Sequence, residues 1–175
     1  MTAGNSGLPE EFYVSKQVEF DAGHRVPLHG SKCRSPHGHR YVVRATCTGW
    51  PVTERAADEG MVVDFGDLKE WLASEVSQRL DHSFMVYEGD LPMRRALEHG
   101  AALDAASEHG AALGAGEQWR VICLPVVPTA ENLAKWCFER LEPLVEGHWR
   151  GNASLYEVEI WETPTSVARY RPRSR

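Results

Sequence analysis

Residues 33–48 read Cys33-Arg-Ser-Pro-His37-Gly-His39-Arg-Tyr41-Val-Val43-Arg-Ala45-Thr-Cys47-Thr. From His37 onward the residues alternate. His37, His39, Tyr41, Val43, Ala45 and Cys47 fall on one side, and Arg40, Val42, Arg44, Thr46 and Thr48 on the other. Successive side chains of a strand point to opposite faces, so this is a half-buried strand over roughly 38–50. Upstream, Phe12, Val14, Val18, Phe20 and Ala22 share a face with His24, and Tyr13, Ser15, Gln17, Glu19 and Asp21 share the other. A second strand is therefore predicted over 12–24. Both strands place their histidines on the apolar side. Paired antiparallel, they aim His24, His37 and His39 into one pocket. Neutral imidazole is the commonest ligand for zinc and its neighbours, and two ligands from one strand arrive already oriented. The competing reading, three core histidines bonded to backbone, is weak because it buries three imidazoles together at a high desolvation cost.

Working outward, Gly60-Met-Val-Val-Asp64 leads into a helix. Asp64 is its N-cap, and Phe65, Leu68, Leu72, Val76 and Leu80 recur at helical spacing. A second helix follows Pro128, with Thr129 as N-cap, Glu131 in the first turn and an apolar stripe through Leu133, Cys137, Leu141 and Leu144. A last strand is predicted over 154–162, with Tyr156, Val158, Ile160 and Glu162 on one face. Glu162 is the odd member, a carboxylate continuing an apolar face. Between 86 and 127 the pattern is less regular. Glu-His-Gly-Ala-Ala-Leu occurs twice, at 98–103 and 108–113, so this stretch reads as an insertion. Its His99 and His109 sit in a polar, low-complexity context and are not taken as ligands. The order predicts an α+β fold, an antiparallel β-sheet with two helices packed on one face.

Length and charge narrow the class. A chain of 175 residues suits one domain, here 11–166, with a leader at 1–10 and a C-terminal tail at 167–175. A net charge of −6 argues against nucleic-acid binding, although it allows a local basic pocket for a small phosphate. No apolar run is long enough to span a membrane, and the N-terminus lacks a signal-peptide pattern, so a cytoplasmic protein with reduced thiols is expected. Cys47 and Cys137 lie on predicted core faces. Cys123, in a short apolar run, is expected to be buried with them.

Ordered blocks along the chain carry a resemblance. Phe20-Asp-Ala-Gly-His24-Arg25, Lys32-Cys33-Arg-Ser-Pro-His37-Gly-His39, Gly60-Met-Val-Val-Asp64-Phe65, Leu80-Asp81-His82, Pro128-Thr-Ala-Glu131-Asn132 and Glu162-Thr163 together resemble the 6-pyruvoyl-tetrahydropterin synthase family, which includes bacterial 6-carboxytetrahydropterin synthases. The resemblance implies a tunnelling fold (T-fold) of β-β-α-α-β-β subunits. One strand is then unaccounted for, and 117–126 is its natural candidate. It also implies roles: His24, His37 and His39 as zinc ligands, Cys33 as the catalytic thiol, Asp81 and His82 as its proton relay, Glu162 as pterin anchor and relay member, and Thr129 in the pterin pocket. The substrate would be 7,8-dihydroneopterin triphosphate. A homo-oligomer, a hexamer built as a dimer of trimers, would carry active sites between subunits.

The Cys-x-x-x-His-Gly-His spacing resembles the bacterial branch. That branch releases acetaldehyde and triphosphate to leave 6-carboxytetrahydropterin, the entry to queuosine and other 7-deazapurines. The alternative branch eliminates triphosphate to a pyruvoyl pterin. This sequence departs from the family pattern at Gly23, at Met85-Val86 and in the length of 86–127. Two other classes compete with this reading. A metallo-hydrolase His-x-His-x-Asp pattern fails at Tyr41, and no glutamate at cupin spacing follows His39. A non-catalytic module whose zinc is closed by Cys33 and three histidines stays open on sequence grounds; an open fourth position would separate the enzyme from it.

Overall fold

The computed structural model describes residues 11–54, 57–103, 120–149 and 151–173, and for 98–103 the backbone alone. The expected leader at 1–10 and the second copy of the repeat, with His109, lie outside these residues.

Strands β1 (Phe12–His24) and β2 (His37–Gly49) pair antiparallel along their full lengths, from Phe12 opposite Gly49 to His24 opposite His37. β2 pairs antiparallel with β5 (Ala153–Thr163), and β5 with β6 (Ser166–Tyr170). On the other side two short strands extend the sheet in parallel. β3 (Ser83–Tyr87) touches β1 only at Ala22 and Gly23, and β4 (Val121–Leu124) pairs with β3. The order is β4-β3-β1-β2-β5-β6. Three of the four antiparallel strands, β1, β2 and β5, are expected ones; the fourth is β6, whereas the candidate stretch 117–126 supplies β4, which with β3 forms a parallel margin beside them.

Helix α1 (Phe65–Leu72) runs through a π-helical stretch at Ala73–Ser77 into the short α2 (Gln78–Leu80). α3 (Leu91–Leu103) lies inside the predicted insertion, and α4 (Ala130–His148) closes the helical layer. The predicted caps form: Asp64 accepts from the Gly66 N–H at 2.6 Å, and Thr129 from the Asn132 N–H at 3.4 Å. Such caps typically contribute about 1 kcal/mol each. Leu133, Cys137, Phe138, Leu141 and Val145 of α4 bury against Val43, Ala45, Val158 and Ile160 of the sheet, with Leu68, Leu72, Val76 and Leu80 beside them. Burying each such aliphatic side chain is worth roughly 1.5–3 kcal/mol.

Three expectations need correction. The strand over 153–163 does not keep one period. Thr46 faces Glu157 while Cys47 faces Leu155, so Tyr156 is an extra residue and the register shifts. Ala153 and Leu155 face the core before the bulge, and Val158 and Ile160 after it. Tyr156 turns outward, with its ring 4.7 Å from that of Tyr13. Cys123 is exposed, unlike the buried Cys47 and Cys137, because β4 is the edge strand and only its Leu124 reaches the core. The expected tail at 167–175 holds most of β6, whose Tyr170 ring packs 5.3 Å from Phe138.

Candidate metal centre and its cavity

The β1–β2 register sets the centre. His24 and His37 are direct cross-strand partners, and His39 lies opposite Ala22, whose small side chain leaves room for three rings. The ring centroids are 4.5 Å apart for His24–His37, 5.2 Å for His24–His39 and 5.1 Å for His37–His39. One ligand atom from each lies within 4.8 Å of the others.

Their protonation suits a cation. The Pro128 carbonyl lies 2.6 Å from His24 Nδ1 and can only accept, so Nδ1 carries the proton. Nε2 then presents its lone pair; it is buried and has no hydrogen-bond partner. His37 Nδ1 donates in the same way to the Ser35 carbonyl at 2.8 Å. Orienting a ligand imidazole through its second nitrogen is how proteins fix the metal-binding tautomer. Burial lowers the His24 pKa to about 4, reinforced by His37 and His39 and opposed by the Pro128 bond. Burial, then His37, also lowers that of His39. Both rings are neutral at physiological pH. An orphaned buried nitrogen within a cluster of three imidazoles fits a divalent metal ion.

A cavity of about 380 Å³ opens beside the cluster. His24 and His37 line it with Cys33, Thr129, Glu131 and Glu162. Cys33 sits in a short 3-10 turn, Lys32–Arg34, whose position is held by the Val26 N–H donating to the Cys33 carbonyl at 2.8 Å. Glu162 Oε1 is 3.9 Å from His24 Nε2. Because His24 is neutral, this is proximity rather than an ion pair. Burial raises the Glu162 pKa, Glu131 adds to the rise, and His37 opposes it. Beneath the rings lies Tyr41, fully buried, with its hydroxyl unpartnered and its ring edge-on to His24 and His39 at 5.8 and 5.6 Å.

A family profile described as 6-pyruvoyl tetrahydropterin synthase matches residues 13–173. The chain belongs to that family. A Rickettsia bellii protein named 6-carboxy-5,6,7,8-tetrahydropterin synthase is 36% identical over 152 residues, covering 86% of this chain and 93% of its own. A Haemophilus influenzae protein of the same name is 28% identical over 160 residues, 91% of this chain and 99% of its own. The crystal structure of 6-pyruvoyl tetrahydropterin synthase from Plasmodium vivax superposes with a TM-score of 0.64 at 17% identity, covering 94% of this chain and 99% of that one. At that identity it speaks for the fold alone, and the fold is the tunnelling fold of the family.

The remaining residues that match the family pattern lie elsewhere in the chain. Asp81 and His82 follow α2. Asp81 Oδ2 is 2.9 Å from His82 Nδ1, and its Oδ1 accepts from the Asp21 N–H at 3.0 Å. That backbone N–H first, then His82, lowers the Asp81 pKa. His82 adopts a left-handed backbone, φ 53°, sparsely populated by residues other than glycine. His82 is exposed and lines a second depression of about 420 Å³ with His39, Gly23 and Gly38. The structure therefore gathers the three histidines, Cys33, Thr129 and Glu162, and sets Asp81 and His82 apart from Cys33.

Strand-face reasoning passed over His29, Glu131 and Ser166, which also line the first cavity. His29 lies between His24 and His39 in sequence, but in the loop, where no face alternation marks it. Glu131 reads equally well as a charge favouring a helix N-terminus, and only the fold turns it toward Glu162. Arg25, beside His24, makes a bidentate pair with buried Asp90 at 2.6 and 2.5 Å, and Asp90 also accepts from the Met93 N–H. The predicted insertion is thereby anchored to the end of β1. His99 lies in α3, where the backbone alone is described. No helix among the described residues is long and apolar enough to cross a membrane.

Proposed function

We propose that this protein is a zinc-dependent 6-carboxy-5,6,7,8-tetrahydropterin synthase. In this reading it acts in the cytoplasm as a homo-oligomer and converts 7,8-dihydroneopterin triphosphate to 6-carboxytetrahydropterin, acetaldehyde and triphosphate, as an entry to 7-deazapurines such as queuosine. The observation that carries the reading is the buried, unpartnered Nε2 of His24, in a three-histidine cluster that opens on the cavity holding Cys33 and Glu162. The names of the bacterial relatives support the carboxy product over the pyruvoyl one.

His24, His37 and His39 would hold the zinc. Bound there, it supplies Lewis acidity to side-chain oxygens of the pterin. Glu162 accepts two hydrogen bonds from the amino-pyrimidine edge of the ring. Those donors favour its ionised form against the burial that opposes it. Thr129 lines the ring pocket from the start of α4. Cys33 removes the proton beside the ring and passes it to the Asp81–His82 pair of a neighbouring subunit. Cys33 is absent from the group of side chains close enough to share an ion with the three histidines, which supports a base over a fourth, structural ligand.

The test is product analysis. Incubated with 7,8-dihydroneopterin triphosphate, the purified protein should release acetaldehyde and 6-carboxytetrahydropterin in equal amounts. A pyruvoyl pterin without acetaldehyde would move the assignment to the other branch, and no consumption of substrate would sink it. Elemental analysis should find about one zinc per chain, the capacity of a single three-histidine site.

A further inference from the structure

Arg25 stands between His24 and Val26, whose N–H donates to the Cys33 carbonyl. Its partner Asp90 lies near the start of the inserted segment. The Asp90 side chain is 1% exposed and that of Arg25 18%. Asp90 also caps α3: its Oδ1 accepts from the Met93 N–H at 3.2 Å, and its carbonyl from the Arg94 N–H at 3.0 Å.

Two segments depend on this pair. Among the described residues, the hydrogen bonds of 26–35 join the loop to itself or to His37. Arg25 is thus where polar bonds tie the root of the loop to the rest of the fold. None of residues 91–97 is buried, so the capped end of α3, and not a packed face of these residues, joins it to the core. Holding two segments together does not require charge, since an apolar pair of similar size is often as stabilising. What the fork of guanidinium and carboxylate adds is a fixed distance and angle.

We propose that Asp90 is a positioning residue of the metal centre. Through Arg25 it fixes the chain between His24 and Cys33, and so couples the docking of α3 to the affinity of the three histidines for zinc. The proposal rests on the metal reading of that cluster given above, and not on the substrate or the product. Such coupling is reciprocal: zinc must secure α3 as much as docked α3 secures zinc.

Zinc affinity of the full chain, measured by competition with a chelator, and the visible spectrum of the cobalt-loaded protein test this. Asp90→Asn keeps an acceptor for the Met93 N–H and removes the charge. It should weaken zinc about tenfold or more, the scale on which groups behind a metal ligand act. It should also alter the cobalt spectrum, which reports ligand geometry. Arg25→Lys, which keeps the charge without the fork and is milder for folding, should lie between Asp90→Asn and the wild type. Val145→Ala, a core change near the other end of α4, controls for general destabilisation. It should lower Tm yet leave zinc affinity within about twofold, as expected of a distant site, and the cobalt spectrum unaltered. Hydrogen exchange reads the reverse direction. Zinc should slow exchange of the Met93 and Arg94 amides in the wild type and not in Asp90→Asn. Unchanged zinc affinity in both clamp variants, an equal loss in Val145→Ala, or α3 amides indifferent to zinc would overturn the proposal. If the wild type holds no zinc, the metal reading itself fails. The Val26 amide in metal-free protein then decides the clamp alone: faster exchange in Asp90→Asn supports it, and an unchanged rate overturns it.

Discussion

Cys33 and His82 line different cavities of the same chain. The first shares its cavity with His24, His37 and Glu162, and the second sits in a depression with His39, Gly23 and Gly38. In the proposed mechanism, a relay joining the two would be completed by a second copy. The outer edge of β1 is paired only at Ala22 and Gly23, and β6 is the last strand at the opposite margin, so both offer unused backbone groups. Leu28, in the cavity loop, is 98% exposed, an apolar side chain suited to burial against a neighbour.

Subunit mixing turns this into a prediction. Cys33→Ala and His82→Ala proteins should each be nearly inactive. Co-refolded in equal amounts, they should recover about a quarter of wild-type activity, the fraction of interfaces in a random mixture that receive both intact residues. Activity in the mixture no higher than in the parents would place both groups within one chain's site or remove one from the mechanism.

Gly23 and Phe84 form a second dependent pair. A β-carbon on residue 23 would stand 2.7 Å from Cδ2 of the Phe84 ring. Gly23→Ala should therefore destabilise the protein by about 1–3 kcal/mol, the usual cost of overpacking. In a Phe84→Ala background the same change should cost much less, and a double-mutant cycle from urea denaturation would measure the coupling. Equal costs in both backgrounds would show that the ring moves aside freely.

Why these contacts escaped the sequence while the metal cluster did not follows from the range of the forces that set them. His37, His39 and Tyr41 share a face because of strand geometry alone, and His24 joins them through a full-length antiparallel ladder whose register both apolar faces demand. The caps at Asp64 and Thr129 are equally local. The bulge at Tyr156 is not: the extra residue becomes visible only against the partner strand, so a strict two-residue period put Tyr156 on the wrong face. β3 and β4 are short and pair in parallel through distant segments, and the exposure of Cys123 follows from its strand lying at the sheet margin. The orientation of Glu131 and His29 depends on where α4 and the loop meet.

Acid should destabilise the metal-free protein in a defined window. An unfolded histidine titrates near pH 6.5, whereas burial holds folded His24 at about 4. Between these values the unfolded chain binds a proton that the native chain refuses. The contribution of His24 to stability is thus complete above about pH 6.5 and is lost as pH falls toward 4. The lowered pKa of His39 acts in the same direction. Thermal melts of metal-stripped protein at intervals between about pH 7.5 and 5 should show Tm falling with pH. A flat Tm over that span would mean that the unfolded state does not gain the proton, or that the native rings accept it.

Cys33→Ala separates a base from a ligand. As the base, Cys33 is needed for turnover but not for the metal, so the variant should keep its zinc and its Tm while losing about 10²–10⁴-fold in rate, the usual contribution of a positioned proton-transfer group. As a structural fourth ligand, its removal should weaken zinc binding and lower Tm together. The geometry favours the first outcome. The three histidines form a ligand group without Cys33. The thiol is carried by a turn of three residues whose backbone is fixed by Val26 rather than by the histidine strands. Its cavity also contains Glu162, where the ring would be anchored. Zinc content, Tm and the rate on 7,8-dihydroneopterin triphosphate, measured on one preparation, distinguish the cases. Full zinc with a near wild-type rate would remove Cys33 from the chemistry, and loss of zinc would make the centre a closed structural site.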